Sequence, residues 1–325
     1  IMMLDILANN NWERPIYFTG GSYEDSEYIW MKDYLQLDGL VYKLVPIKTS
    51  IENNPYEMGR IDSDLMYDIV KKWSWGNSES DEIYHDPETR KNSISFRGNL
   101  SRLSEKLISE GEYEKAEEIL DLAFSKMPID FYGYYSLWTP LVKSYYDIGK
   151  SEKVREIVQK LSFKYSDRLS YFSSLEIFNQ YDVGEEIISD IERFRNLIET
   201  IQESGEREIL ADQIKSFISS SEQFNYIYGE YDYYISLSNF LVSLLELNEV
   251  EYSMSVIDKI EEQLIRRVSV FSNIDEEEQV YYLEGITSDI NQYSRLINQI
   301  EIYDIDAYNK YCLLYTSPSP RDLTT

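Results

Sequence analysis

The sequence predicts a mainly α protein, an α-solenoid or helical bundle preceded by a small α+β module. From about residue 93 onwards, apolar residues recur at spacings of three and four, which is the period of amphipathic helices. Before residue 90, prolines, glycines and tryptophans are frequent, and short runs of β-branched and aromatic residues indicate strands. Glycines then punctuate the helical part at intervals that suit turns between helices.

Composition and charge exclude several classes of protein. The 325 residues are 43% apolar and 14% aromatic, which favours a folded chain over a disordered one. The 59 acidic and 31 basic side chains give a net charge of −28, a field that repels phosphate backbones and anionic lipid headgroups. We therefore expect no nucleic-acid partner. No apolar run approaches the ~18 to 20 residues that a membrane helix requires.

The end of the chain differs in composition from the rest. Cys312, the only cysteine, opens the stretch CLLYTSPSPRD, which resembles a translated sequencing adapter. We interpret residues 312–325 as an adapter-derived artefact and leave them out of the fold prediction. The remaining chain then has no thiol for a disulfide, for catalysis or for a zinc site.

Residues 1–90 are predicted to form the small α+β module. The turn at Asp38-Gly39 and the pair Gly20-Gly21 bound its strands. The predicted elements, in chain order, are a helix in the opening IMMLDILANN, a strand at Arg14–Thr19, a helix spaced through Ile29, Met31, Tyr34 and Leu35, a strand at Leu40–Lys48 and a helix at Asp62–Trp73.

Residues 91–165 carry two copies of a helix–turn–helix pattern, 38 residues apart. Each copy has large apolar residues on a first helix, a glycine turn, and smaller apolar residues where a second helix meets the first. These are the offsets of a tetratricopeptide-like repeat. The core positions are Leu100, Leu103, Leu107, Ala116, Leu120 and Ala123 around Gly111, and Trp138, Leu141, Tyr145, Val154, Val158 and Leu161 around Gly149.

Residues 166–311 are predicted to form long antiparallel helices. Two of them have a single apolar stripe. The stripes are Ile187, Ile191, Phe194, Ile198 and Ile201, and Leu283, Ile286, Ile290, Tyr293, Ile297 and Ile300. A degenerate third repeat near 233–265 has the core Leu237, Phe240, Leu241, Leu244, Ser253, Ile257 and Ile260.

The sequence shows no constellation that predicts catalysis, a metal or a cofactor. His85 is the only histidine and is interpreted as a surface loop residue. No G-x-S-x-G, G-x-x-x-x-G-K-[ST] or G-x-G-x-x-G pattern occurs. The acidic clusters at Ser78–Glu82 and Asn273–Gln279 lack the spacing of a calcium loop, and the second suits the start of a helix.

The 30 tyrosines are the least ordinary feature of the composition. Most are interpreted as rings packed at helix ends with their hydroxyl groups in water. The sharper hypothesis is that Tyr132, Tyr134 and Tyr135 line a groove, where their rings would stack on sugars or anchor a peptide.

Several stretches together resemble a known family. They are LDILANNNWERPIYFTGG, YLQLDGLVYKLVPIK, GRIDSDLMYDIV with WSWGN, and RLSEKLISEGEYEKAEEILDLAFSKMP. In this order they resemble the C-terminal region of large membrane proteins common in Bacteroidetes, known as a domain of unknown function and related to protein O-mannosyltransferases. The resemblance covers about Leu4–Pro128.

The resemblance implies a part of a protein rather than an activity. Catalysis in that family is expected from an acidic residue in the membrane half, so no catalytic residue is carried onto this chain. What carries over is a junction with the membrane half, with Arg14 expected to pair with Asp38. Its residues are Asn11, Trp12, Arg14, Pro15, Asp38 and Gly39, with Leu37 and Leu44–Ile47.

Three functions follow from these observations. The first is the non-catalytic, extracytoplasmic tail of a membrane glycosyltransferase-like protein, with the parent's own transmembrane half and an acceptor protein or peptide as partners. The second is a free-standing scaffold that binds proteins through tetratricopeptide-like repeats. The third is a soluble glycoside hydrolase that uses two carboxylates, although nothing selects a particular pair.

Overall fold

The computed structural model describes residues 2–19, 30–49, 58–303 and 305, and it confirms a mainly α protein with a small sheet near the N-terminus. The chain divides into two compact units, Ile1–Leu161 and Ser162–Thr325, called unit 1 and unit 2 below. The predicted artefact at 312–325, the Gly20-Gly21 turn and Ile29 lie outside the described residues. No helix in the described part of the chain combines the length and the apolar character needed to cross a bilayer.

From Pro87 onwards the helices follow one another with short connections. Unit 1 contains α1 (Met2–Asn9), α2 (Ser63–Val70), α3 (Pro87–Ser109), α4 (Tyr113–Lys126), α5 (Ile129–Tyr132), α6 (Thr139–Asp147) and α7 (Ser151–Ser173), which continues into unit 2. Unit 2 further contains α8 (Ile177–Asp182), α9 (Gly184–Glu203), α10 (Leu210–Ser221), α11 (Asn225–Tyr228), α12 (Glu230–Ile235), α13 (Ser238–Glu246), α14 (Val250–Asn273) and α15 (Glu276–Ile300). Short 3₁₀ turns lie at Lys32–Tyr34, Tyr135–Trp138 and Glu222–Phe224.

The sheet consists of β1 (Tyr17–Phe18), β2 (Leu35–Asp38) and β3 (Val41–Leu44), antiparallel in the order β1-β3-β2. The predicted Asp38-Gly39 turn joins β2 to β3. The predicted helix through Leu35 is wrong, because β2 is an extended strand that is buried along its length. The edge of β2 that faces away from β3 is bridged to Arg60. The Arg60 carbonyl oxygen accepts a hydrogen bond from the Leu37 amide at 2.8 Å. Because β3 and Arg60 pair with this segment, it forms a strand although the spacing of its apolar residues suits a helix.

The two helical hairpins of unit 1 lie where the repeat pattern predicts them. Asp86 caps α3 by accepting the Thr89 amide at 2.9 Å, and Pro87 occupies the first turn, where no amide donor is needed. The chain reverses at Gly111 and at Gly149, both with positive φ. All the predicted core positions are buried: Leu100, Leu103, Leu107, Ala116, Leu120, Ala123, Trp138, Leu141, Tyr145, Val154, Val158 and Leu161.

In unit 2 the stripe of α9 is buried as predicted, whereas that of α15 is buried along only part of its length. Tyr293, Ile297 and Ile300 are covered, while Leu283 is 54% exposed. The core positions of the predicted third repeat lie on α13 and α14 or just before them, and they too are buried.

Charged contacts bind α2 to α4 within unit 1. Glu118 accepts hydrogen bonds from Lys71 Nζ at 2.8 Å and from the Tyr67 hydroxyl at 2.6 Å, and Lys115 pairs with Asp64 at 2.8 Å. The bond from Lys71, with that from Tyr67, lowers the pKa of the Glu118 carboxyl. These contacts hold α2, the helix that follows the sheet, against α4 of the first hairpin.

We expect Glu118→Gln to remove a pH-dependent part of the stability. The folded-state pKa of Glu118 is below its unfolded value, so the carboxylate stabilises the fold at pH values above the unfolded pKa. This stabilisation is lost as the pH falls through the folded-state pKa. The wild type should be more stable than Glu118→Gln at neutral pH, by less than about 1 kcal/mol because the pair is exposed.

Urea titrations of both proteins over a range of pH measure this difference, which should vanish well below 4.5, the ordinary pKa of a glutamate. Asp68→Asn, which removes an exposed carboxylate of α2, is the control for the loss of a surface charge. A constant gap between wild type and Glu118→Gln at every pH would contradict the assignment.

Candidate functional site: the junction module and the tyrosine turn

Residues 132–135, called the tyrosine turn below, connect α5 to the 3₁₀ turn before α6. Gly133 and Tyr134 both have positive φ, 61° and 47°. Such a conformation suits glycine but is uncommon for tyrosine. This stretch of positive φ lies between two buried side chains, Tyr132 and Trp138.

Arg97 of α3 holds this turn. Its side chain is fully buried, with Nη1 donating to the carbonyl oxygens of Gly133 at 2.8 Å and Tyr134 at 3.4 Å. Nη2 donates to Ser93 Oγ at 2.8 Å, and the guanidinium lies 5.1 Å from the Trp138 ring centroid. Burial lowers the pKa of Arg97 to about 10, so it stays protonated at neutral pH. Carbonyl dipoles and a ring face, rather than a carboxylate, stabilise the charge.

The structure separates the three tyrosines predicted to line a groove. Tyr132 is 3% exposed and donates its hydroxyl to the Ser78 carbonyl at 2.9 Å, so it belongs to the core, and burial raises its pKa. Tyr135 is half-buried, and Tyr134 is 49% exposed. Tyr134, with part of Tyr135, is therefore the portion of the predicted groove that a ligand can reach.

The interpretation of His85 as a surface residue is wrong. Its side chain is only 6% exposed, its ring stacks on Phe131 at 5.2 Å, and Nε2 lies 3.1 Å from the Ser80 carbonyl oxygen, to which it donates. The loop before α3 thus places the His85 ring against Phe131 of α5. Phe131 lies far from His85 in the sequence, so no local pattern indicated this burial.

We expect Tyr132→Phe to destabilise unit 1 by about 1 kcal/mol, because the part-buried Ser78 carbonyl loses its donor. Tyr134→Phe should change stability by no more than about 0.5 kcal/mol, because its ring is half exposed. Urea unfolding followed by tryptophan emission compares the two matched variants. Equal effects at both positions would contradict the division between core and surface.

The predicted junction residues lie around the sheet, and most are exposed. Trp12 is 60% exposed, and with Asn11 it has a positive φ. Arg14 and Pro15 are also exposed. The predicted pair between Arg14 and Asp38 does not form in the described part of the chain: Asp38 is buried and accepts a hydrogen bond from Gln36 Nε2 at 2.9 Å.

Gly39 is required by its surroundings. It has a φ of 72°, and a Cβ at this position would lie 3.1 Å from both Ile69 and Trp73. Its carbonyl accepts Asn99 Nδ2 of α3 at 2.8 Å. Arg102, one helical turn further on, donates to the carbonyls of Met58 at 3.0 Å and Gly59 at 2.8 Å. The sheet is thus attached to the first helix of the first hairpin.

Four apolar or aromatic side chains near the start of the chain are about half exposed or more: Trp12, Leu4 and Ile6 on α1, and Tyr17 on β1. Leu7, by contrast, packs on the small core of Met31, Leu35 and Leu44. Leu4, Ile6, Trp12 and Tyr17 are called the junction surface below. In the described part of the chain no group of histidine, cysteine, aspartate and glutamate has the geometry to hold a metal ion.

Comparison with known proteins gives a family match at the start of the chain. Residues 1–65 match the family model described as TMEM260-associated domain 2. No curated protein and no solved structure matches the chain. The match covers the first fifth of the sequence and falls within the predicted junction module; TMEM260 itself is related to protein O-mannosyltransferases.

Proposed function

We propose that the chain is the non-catalytic, extracytoplasmic tail of a membrane glycosyltransferase-like protein related to protein O-mannosyltransferases. The observation that carries the proposal is the coincidence of the family match at residues 1–65 with the junction surface. In this account the junction surface contacts the parent's own transmembrane half, where catalysis takes place. The helical hairpins that follow hold an acceptor protein or peptide.

The chemistry of the junction surface supports contact with a protein. Exposed apolar side chains that lie on neighbouring elements are typical of interaction sites. Tryptophan in particular contributes large amounts of binding energy at interfaces, because it buries much area at little entropic cost. The net charge of −28 disfavours adsorption on anionic headgroups, so we assign the contact to the protein part of the membrane half.

A binding experiment tests the proposal. The complete chain and the membrane half encoded at the same locus are produced separately, and their association in detergent is measured by co-purification and by titration. We expect a complex that Trp12→Ser and Leu4→Ser each weaken by about tenfold or more, since each removes an exposed apolar group from the contact.

Tyr171→Ser, which removes a similarly exposed aromatic ring from unit 2 (63% exposed, against 60% for Trp12), is the control and should bind as the wild type does. Binding that survives both junction variants would refute the assigned surface. If no membrane half associates and the chain alone binds proteins, the free-standing scaffold is the correct function.

A further inference from the structure

A polar pocket of ≈ 350 Å³ lies in unit 2, between the last turns of α9 and α15 and one face of α13. Its size is within the range of about 300–1,000 Å³ that is usual for small-molecule sites. Gln202 comes from α9 and Gln299 from α15, while Asn239, Ser243 and Glu246 come from α13. The three α13 residues have the spacings of four and three that place side chains on one helix face.

Hydrogen bonds within the protein hold much of the polar lining in position. Gln202 Nε2 donates to Ser243 Oγ at 2.7 Å, and Arg207 Nη2 donates to the Glu246 carbonyl oxygen at 2.9 Å. Glu246 Oε1 accepts the Tyr303 hydroxyl at 2.6 Å. Because these side chains are already ordered, a ligand that binds to them costs less conformational entropy.

Other polar groups of the lining remain available to a ligand. The amides of Asn239 and Gln299 are exposed, and within the described ranges of the chain neither has a hydrogen-bond partner. Each carboxamide offers two N–H donors and a carbonyl acceptor. With Gln202, three such groups from three different helices line the same pocket.

The charge and the apolar part of the lining select the class of ligand. Arg207 is the one cation in the lining and Glu246 the one anion, so their formal charges cancel. Leu210, Val242 and Leu247 supply an apolar wall. The lining therefore suits a neutral molecule that has many groups able both to donate and to accept hydrogen bonds, together with an apolar face. Sugar hydroxyls both donate and accept, and the C–H face of a sugar ring is apolar.

The corresponding contact in unit 1 is closed. Ser144 and Ser243 occupy the same position in α6 and α13, which are both helices of nine residues. Ser144 Oγ lies 3.3 Å from Ser104 Oγ of α3, and both serines are buried. In unit 2 the partner of the serine is the longer, half-buried Gln202. The pocket is thus particular to unit 2 and is not a general consequence of packing these hairpins.

We propose that this pocket, called the amide pocket below, binds a short neutral saccharide. The three carboxamides bond to its hydroxyl groups, and one face of a sugar ring packs on the apolar wall. A charged ligand is not favoured, because the lining has no uncompensated charge for it to meet. The proposal concerns unit 2 alone, goes beyond the function as a tail and does not depend on a membrane half.

The test uses the complete chain and saturation-transfer NMR, in which ligands that bind weakly are detected directly. The neutral probes are methyl α-mannoside, methyl β-glucoside and cellobiose. Glucuronate is the charged comparison, and a blocked Ala-Ser tetrapeptide is the neutral peptide comparison. We expect saturable binding of at least one neutral saccharide with a Kd of about 1 mM or below, and at least about tenfold weaker binding of glucuronate and of the peptide.

Variants locate the site. Asn239→Leu and Gln299→Leu each remove a carboxamide from an exposed helix position, so each should keep its stability but lose about fivefold in saccharide affinity. Asn196→Leu makes the same change at an exposed asparagine of α9 outside the pocket and should bind normally.

Three results overturn the proposal. The first is that none of the three neutral saccharides binds, and the second is that both pocket variants keep full affinity. The third is that the tetrapeptide binds more tightly than every saccharide, since the amide pocket would then be a peptide site.

Discussion

Replacing Arg97 with alanine is expected to destabilise unit 1 by about 3–5 kcal/mol. The change leaves the carbonyls of Gly133 and Tyr134 without their donor and opens a cavity against the fully buried Trp138 ring. Arg97→Lys keeps the charge but not the fork of donors, so we expect it to lose about 2 kcal/mol or more.

Tryptophan emission is a suitable probe of this effect, since all five tryptophans lie at or before residue 138, within unit 1. Arg14→Ala is the matched control: Arg14 is exposed, and its loss should change stability by no more than about 0.5 kcal/mol. An Arg97→Ala variant as stable as Arg14→Ala would show that the guanidinium does not hold the tyrosine turn.

Replacing Phe217 with alanine is expected to destabilise unit 2 by about 3–5 kcal/mol. Phe217 is fully buried in a series of rings, 5.4 Å from Phe194 and 5.6 Å from Phe240, with Arg195 5.4 Å from its ring centroid. The cavity left by the lost ring removes contacts with two neighbouring helices, α9 and α13.

Circular dichroism during urea unfolding measures the loss, and tryptophan emission in the same titration shows whether unit 1 unfolds with unit 2. Phe178→Ala is the control in the same unit, because that ring is 73% exposed and should be nearly neutral. A Phe217→Ala variant with an unchanged unfolding midpoint would contradict the buried aromatic core of unit 2.

The elements that the sequence predicted correctly depend on local patterns. Leu103 and Leu107 recur with the helical period, and Gly111 supplies the positive φ that ends the first helix of the hairpin. The pair Asp38-Gly39 is likewise a local sequence pattern typical of a turn. Such features need no knowledge of distant residues, so a single sequence is sufficient for them.

The errors involve partners far along the chain. Leu35 lies in a strand because β3 and Arg60 pair with its segment, whereas its local spacing suits a helix. Tyr132 is buried, and its hydroxyl donates to the carbonyl of the distant Ser78. His85 is buried with its ring stacked on that of Phe131. Sequence reasoning also missed Arg97, since a charged residue in a helix is ordinarily expected at the surface.

The candidate sites were predictable to different degrees. The junction was identified through family resemblance, and the structure adds that Trp12 is exposed while Asp38 is not. The exposure of the first half of α15 was not predicted, because the apolar stripe through Leu283 and Ile286 suggested continuous burial. Whether such a stripe is covered depends on which helices are present to pack on it.

The most direct test of the central proposal is the sequence of the intact locus upstream of the codon for Ile1. The account predicts an in-frame coding region with several apolar segments of about 20 residues, each long enough to cross a bilayer. A start codon at or just before Ile1, with no apolar span ahead of it, would contradict the assignment of this chain as the tail of a membrane glycosyltransferase-like protein.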